Sequence, residues 1–208
     1  MAEKRDNFAV WRERARKAGI IKSHYPEFCK NGDLAELIGV VLGDGHIEKF
    51  PRTERLLIFS NANNRGFVER YSSIVRTLFQ KEPSVSKMKN ANCVRIGVYE
   101  KHISRRLGIP SGSRKNIRIV VPTWILRDGE LIKRYLRGLY EAEGSVSHHY
   151  ATSTHKFSFA NLNQSMLKNV VKLLKILGFS PHADFRRVQI SRKREVERAI
   201  EMLQFRKY

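Results

Sequence analysis

The sequence predicts an α+β protein in which one αββαββα unit is used twice within 208 residues. Three observations lead there. Two apolar helical segments are followed by the same acid-tipped motif, Gly43-Asp44-Gly45 and Ala142-Glu143-Gly144, each carboxylate falling just past its helix. A single interval separates Gly39 from Gly138, Gly43 from Ala142 and Asp44 from Glu143. Downstream, Phe59-Ser60-Asn61-Ala62-Asn63 returns as Phe159-Ala160-Asn161-Leu162-Asn163. Repetition on this scale marks a duplicated domain rather than a solenoid.

Residues 1–32 form an extension in which Phe8, Val10 and Trp11 are mixed with Arg12, Arg14, Arg16 and Lys17 ahead of Gly19, the pattern of a short basic helix. The first repeat, residues 33–108, opens with Leu34, Leu37, Ile38, Val41 and Leu42 at i, i+3, i+4, i+7 and i+8, one buried helical face. Ala35, Gly39 and Gly43 form a second stripe without bulk, so another helix can approach closely and the segment can be buried on two sides. After the motif, Ile47 reads as inward, and Leu56-Leu57-Ile58-Phe59 is apolar on both faces. A helix carrying Phe67, Tyr71, Ile74, Val75 and Leu78 follows, then two short strands after Pro83 and a closing helix near Glu100 to Leu107. Gly108 to Asn116, with Pro110, Gly112, Arg114 and Lys115, reads as the linker, bounded in full as residues 109–124. The second repeat, residues 125–208, has Ile132, Tyr135, Leu136, Leu139 and Tyr140 on its motif helix, Val146 inward after it, Leu167 to Leu177 as its next helix, strands after Pro181 and a last helix near Arg194 to Leu203.

Either acid alone reads as ordinary punctuation, since a polar residue followed by Gly commonly ends a helix. A carboxylate there faces the negative end of the helix dipole, which is mildly unfavourable. Twice tolerating it suggests a cation nearby.

Forty Lys plus Arg against twenty Asp plus Glu give a net charge of +20. A basic domain of this strength points to nucleic acid, because neutralised phosphates release condensed counterions. Charge does not distinguish DNA from RNA. The isolated Cys29 and Cys93 fit neither a zinc knuckle nor a disulfide framework. His148, His149 and His155 lack companion cysteines and read as polar surface rather than a metal cluster. No apolar run reaches membrane length and the first residues are no signal peptide, so a soluble intracellular protein in a reducing compartment is expected.

With both motifs in register and their downstream strands matched, residues from about Asp33 to Phe205 resemble a two-repeat LAGLIDADG homing endonuclease. Val121-Pro122-Thr123-Trp124-Ile125 ahead of Leu136-Arg137-Gly138-Leu139 is similar to how the second repeat of such proteins begins. The resemblance implies that the motif helices pack at a pseudo-twofold axis and bring both acids to one place. It further implies that two curved antiparallel sheets form a saddle over duplex DNA. Such enzymes act as monomers and cut one phosphodiester in each strand across the minor groove, leaving short 3′ overhangs. Their acids hold a divalent metal, normally Mg²⁺; Mn²⁺ is expected to substitute, and Ca²⁺ to bind without supporting cleavage.

The residue types suit that chemistry. Mg²⁺ takes one or two protein carboxylates with phosphate oxygens and waters completing its shell, and such metals lower the pKa of an attacking water. Asp44 and Glu143 fit as catalytic metal ligands, and the carbonyls of Gly43 and Ala142, unpaired at a helix end, could add oxygens. One departure stands out. Some relatives carry Lys or Gln just after the second strand of each repeat, where this chain has Ser60 and Asn61, then Asn161 and Leu162. Asn61 and Asn161 either take part at the water or cap the following helix; neither can offer positive charge. Either catalysis then leans on a nearby cation such as Arg65, Arg114, Lys115 or Lys168, or the enzyme is slow or partly disabled.

Strand alternation suggests which side chains would meet DNA. Inward Ile47 and Val146 turn His46, Glu48, Arg52, Ser145, Ser147 and His149 outward. Arg95 shares its face with Cys93 and Gly97, and Lys156 and Ser158 lie beside Phe157 and Phe159. Phe185, Val188 and Ile190 read as buried, leaving Arg186, Arg187, Gln189 and Ser191 exposed. Arg114 and Lys115 could clasp a phosphate from the linker. The plain alternative is a solvated sheet face. The basic extension either lengthens the footprint or packs Trp11 on the first repeat. Met1 and the lack of splice-type ends lead to the expectation of a free-standing, intron-encoded protein. Two other activities suit the same saddle: an RNA-binding maturase acting on its own intron, and a DNA-binding regulator without catalysis.

Overall fold

The structure, a computed structural model, describes residues 7–19, 22, 24–149 and 154–208. Helix α1 (Asn7–Lys17) precedes the duplicated core. Asn31 then caps α2 (Gly32–Asp44), its Oδ1 accepting from Leu34 N at 3.0 Å. The first half continues with β1 (Gly45–Lys49), β2 (Glu54–Asn61), α3 (Arg65–Phe79), β3 (Ser84–Lys87), β4 (Cys93–Glu100) and α4 (Ile103–Leu107). A single 3-10 turn over Ile125–Arg127 leads to α5 (Gly129–Glu143), capped by Asp128 through a 2.8 Å bond from Glu130 N. The unit then repeats as β5 (Gly144–His149), β6 (Thr154–Ala160), α6 (Gln164–Ile176), β7 (His182–Ala183), β8 (Arg187–Ile190) and α7 (Lys193–Met202). Both acids are the last residues of their helices rather than the first beyond them.

Each half builds one four-stranded antiparallel sheet, and the strand orders correspond: β1-β2-β4-β3 and β5-β6-β8-β7. Between the halves, α2 and α5 meet backbone to backbone. A Cβ on Gly39 would strike the Tyr135 carbonyl oxygen, and one on Gly138 would strike the Glu36 carbonyl oxygen. The stripe of small residues is thus the helix crossing. With its other face on β2, α2 is buried from Leu34 to Leu42, and one hydrophobic core runs through both halves.

Inside that core lies an ionic cluster. Glu36 is fully buried and accepts from Arg70 Nε and Nη2 at 2.5 and 2.8 Å and from Arg134 Nε at 2.5 Å, with Arg137 Nε at 3.6 Å. Two residues before the end of α5, Glu141 accepts from Arg206 N at 2.6 Å and from the Tyr208 hydroxyl. These contacts tie the C-terminal residues onto α5. Burying a charge is tolerable only when partners surround it.

One sequence expectation is overturned, and two other positions are refined. Phe185 is 69% exposed, because it lies in the β7–β8 turn, where strand alternation no longer applies; the Arg186 guanidinium covers its ring at 4.8 Å. Val146 points to the core side opposite Phe157 but is 46% exposed, since β5 is an edge strand. Leu57, on the outward face, is nonetheless buried, with Cδ2 beneath the Gly97 backbone. Both cysteines are free. Among the described residues, no helix is long and apolar enough to cross a membrane.

Candidate active site and nucleic-acid face

Each motif helix passes directly into a strand. Gly45 N donates to Val41 O and Gly144 N to Tyr140 O, and both glycines are extended rather than left-handed. Their need for no side chain is steric: a Cβ on Gly45 would lie 2.5 Å from Val41 Cα, and one on Gly144 would overlap the Tyr140 carbonyl. The abrupt turn from helix to strand therefore demands glycine after each acid. At the tips the helices touch again, a Cβ on Gly43 colliding with that of Ala142 and lying 3.2 Å from Glu143 Cγ.

Asp44 and Glu143 are accordingly neighbours, both half-buried. Burial, and then the charge of Glu143, push Asp44 from 3.8 up to about 7; burial alone raises Glu143. No hydrogen bond lowers either group, and no basic side chain pairs with them among the described residues. Two adjacent carboxylates without a counter-charge fit a divalent cation. No third His, Cys, Asp or Glu joins them among the described residues, so the other ligands would be oxygens of the backbone, water or phosphate. The carbonyls of Gly43 and Ala142 lie in the last helical turns, where following helical N–H groups run out.

A cation from the linker reaches the end of α2. Arg114 Nη2 donates to Val41 O at 2.9 Å and to Gly45 O at 2.5 Å, so its guanidinium sits at the negative end of α2. Its Nε and Nη1 are buried without a partner, and burial lowers its pKa. The linker is pinned there by α6: Asn163 Nδ2 donates to Arg114 O and Ile117 O, both at 2.8 Å, and Ser165 Oγ accepts from Ile119 N at 2.8 Å. A cavity of about 530 Å³ opens beside Glu143 and gathers Gly43, His46, Arg114, Lys115, Asn161 and Arg186. Asp44 and Asn61 are not among its lining residues, and neither are the exposed Arg65 and Lys168.

The repeated asparagines make tight turns. Asn61 Oδ1 accepts from Asn63 N at 2.9 Å and from Asn92 Nδ2 at 3.3 Å, while Asn161 Oδ1 accepts from Asn163 N at 2.8 Å. Capping of α3 and α6 falls to Asn64 and Asn163. The Phe-x-Asn-x-Asn repeat was visible in the sequence, but not that its last asparagine fastens the linker.

Strand register settles which side chains share the outward face. In the first sheet His46 pairs with Leu57 and Gly97 follows, and Glu48 pairs with Arg55, itself opposite Tyr99. Arg55 bonds Glu48 through Nε at 2.8 Å and Tyr99 Oη through Nη1 at 2.8 Å. Arg55 and Tyr99 were missed, although the alternation of β2 marks Arg55 as outward. Arg95 is exposed, with Nε on Ser86 Oγ at 2.8 Å, and Arg52 is exposed in the β1–β2 turn. In the second sheet Ser145 pairs with Ser158 and then Gln189, and Ser147 pairs with Lys156. Ser158 shares that face but is covered, whereas Ser145, Ser147 and Arg187 are exposed. Gln189 Nε2 donates to Ser191 Oγ at 3.1 Å. His149 ends β5, and its side chain lies outside what is described. His148 and His155 face each other at 4.2 Å between ring centroids on the opposite side of the sheet.

Residues 130–203 match the family model of the LAGLIDADG-like domain. The crystal structure of I-DmoI in complex with DNA and Mn is similar, with a TM-score of 0.57 and 18% identity over 83% of this chain and 96% of that one. The N-terminal LAGLIDADG domain of DUF199/WhiA gives a TM-score of 0.53 and 16% identity over 86% of this chain and 84% of that one. Full-length DUF199/WhiA from Thermatoga maritima gives 0.55 and 16%, over 88% of this chain and 58% of that one. No curated protein sequence matches. At these identities the likeness is one of fold: the chain has the single-chain, two-domain LAGLIDADG fold.

Proposed function

We propose that the chain is a site-specific endonuclease for double-stranded DNA, acting as a monomer and hydrolysing one phosphodiester in each strand with a divalent metal, normally Mg²⁺, to leave short 3′ overhangs. The observation that carries this reading is the pair of half-buried carboxylates at the touching helix tips, with no counter-cation from the described residues. A surface evolved only to hold phosphates gains nothing from two such charges. The I-DmoI complexes with DNA and with Mn or Ca support a metal and a DNA partner for this fold.

In this reading Asp44 and Glu143 hold the metal, with the carbonyls of Gly43 and Ala142 as further oxygens. The bound cation supplies Lewis-acid stabilisation at the phosphodiester being hydrolysed. Arg114 keeps the end of α2 in place and offsets its negative dipole, so the carboxylate geometry is set before DNA arrives. Lys115 and Arg186, beside Glu143, are placed to take phosphate oxygens on one strand. His46, Arg52, Arg95, Ser145, Ser147, Lys156, Arg187 and Gln189 provide the reading surface on the two sheets.

A second reading, binding without cleavage, draws on one observation: the Asn61 and Asn161 oxygens are occupied by turns, and no lysine stands in their place. Incubation with a DNA library carrying candidate insertion sites, with Mg²⁺ or Ca²⁺, separates the two. Double-strand cutting with Mg²⁺ that vanishes in Asp44→Asn and Glu143→Gln while binding persists supports the endonuclease. Tight binding with no cutting by the wild type leaves the regulator, and preference for intron RNA leaves the maturase.

A further inference from the structure

Three side chains stand in one row across the outward face of the first sheet: Glu48 of β1, Arg55 of β2 and Tyr99 of β4. Cross-strand neighbours on one face are close enough to interact, and here they bond. Arg55 donates from Nε to Glu48 Oε2 at 2.8 Å, from Nη2 to the same oxygen, and from Nη1 to Tyr99 Oη at 2.8 Å. The Phe50 and Tyr99 rings lie 5.6 and 5.4 Å from its Cζ. A guanidinium carries five N–H donors. Glu48 takes two and Tyr99 one, so one hydrogen remains on each terminal nitrogen. The group is held in place while its side chain stays 24% exposed.

The second sheet fills the same row differently. Glu48 is the third residue after Gly45 and Ser147 the third after Gly144; their partners are Arg55 and Lys156. A lysine opposite a serine is a point charge on a flexible stem, and it does not replace an arginine fork. Glu48 also cancels the charge of Arg55, so the pair gains little from a phosphate. A neutral, braced fork suits a base edge instead: guanine offers O6 and N7 together in the major groove, and arginine's donors match them. Glu48 stands four residues beyond Asp44 along β1. That is about 13 Å at roughly 3.3 Å per residue, or about four base pairs at roughly 3.4 Å each.

We infer that Arg55 reads a guanine about four base pairs from the step above Asp44, on the first-repeat side, and that Glu48 and Tyr99 are positioning residues that aim it. The inference rests on the DNA reading above and deepens it: the two halves of the target differ at this place, because the second repeat offers Lys156 there. Glu48, expected from the sequence to meet DNA itself, serves through Arg55.

Selection from a randomised duplex library, with Ca²⁺ in place of Mg²⁺, compares the wild type with Arg55→Ala, Arg55→Lys, Glu48→Ala and Glu48→Gln. The wild type should enrich one guanine at that place by roughly 5- to 150-fold, the range of a bidentate contact. Both Arg55 variants should lose that enrichment and keep the other enriched positions, a pattern that misfolding does not produce. Glu48→Ala should weaken the enrichment yet tighten binding to mixed-sequence duplex. Its slope of log affinity against log salt should steepen by about 1, since an unbraced arginine is free to take a phosphate. Glu48→Gln keeps an acceptor for Nε and should retain most of the preference. If the wild type enriches other positions but no guanine there, or if Arg55→Ala still enriches it, Arg55 is only a tie across the sheet and the inference falls while the DNA saddle stands. A wild type that binds no duplex overturns the DNA reading and this inference with it.

Discussion

Replacing Asp44 by Asn should make the metal-free protein more stable, although under the proposed function it removes a metal ligand. The group is raised from 3.8 to about 7 by burial and by Glu143. Its contribution to stability is therefore intact below pH 3.8 and lost as pH rises through 7, because the native state must give up a proton it holds more tightly than the unfolded chain does. At about 1.4 kcal/mol per pH unit, the displacement would amount to roughly 4 kcal/mol for a group sealed from water. Asp44 is only half-buried, and screening cuts this to about 2 kcal/mol. For a chain of this size that is a rise in Tm of roughly 4–8 °C. Thermal unfolding of wild type and Asp44→Asn in EDTA should show the full gain at pH 8 and little at pH 4. Adding Mg²⁺ at pH 8 should raise the wild type and leave the variant nearly unmoved. A variant no more stable than wild type at pH 8, or a difference constant across pH, would refute the picture of an uncompensated carboxylate pair.

Three further outcomes follow from contacts already described. Gly138→Ala drives a methyl into the Glu36 carbonyl and should lower the urea midpoint by about 3 kcal/mol of stability, with the slope of the transition kept. Glu36→Gln takes the shared carboxylate from Arg70, Arg134 and Arg137, leaving only Asp33 on Arg134 and Glu141 beside Arg137, and should destabilise by about 3 kcal/mol in the same assay. Arg187→Ala should relax cutting preference at a few base pairs, about 1–3 kcal/mol for a lost bidentate contact; uniform weakening on every sequence would mark a phosphate contact instead.

The parts of this protein that were legible in the sequence are those governed by period and repetition. A 3.6-residue pattern exposed α2 and α5, their equal spacing exposed the duplication, and alternation along β4 put Arg95 on the outward face. What escaped is set by contacts between residues far apart in the chain. Glu36 looks like a solvated helix position, yet it is enclosed by arginines from α3 and α5, 34 and 98 residues away. Phe185 reads as inward together with Val188 and Ile190, but it stands three residues before Val188, in a three-residue turn between two very short strands, where an apolar side chain is left exposed. Asn61 and Asn161 have the chemistry to hold a water, and the backbone geometry of each strand exit claims their oxygens first.

The linker makes the point most sharply. Composition identified it as a basic loop, and Arg114 was one of four cations that could have served the acids. The place of Arg114 is set by the α6 cap Asn163 and by Asn169, whose amides bind the Arg114, Ile117 and Ile119 carbonyls and hold the loop at the end of α2, where Arg114 meets backbone carbonyls rather than the acids. Gly112 N, donating to Ile47 O at 3.1 Å, anchors the other side on the first sheet. A segment that joins the repeats in sequence thereby joins them again beside the motif-helix tips, and its arginine bonds only the α2 tip. The two acids come from equivalent positions, but Asp44 carries the higher perturbation and the arginine-braced helix, while Glu143 faces the open cavity. The duplication thus builds a symmetric frame around two chemically unequal halves.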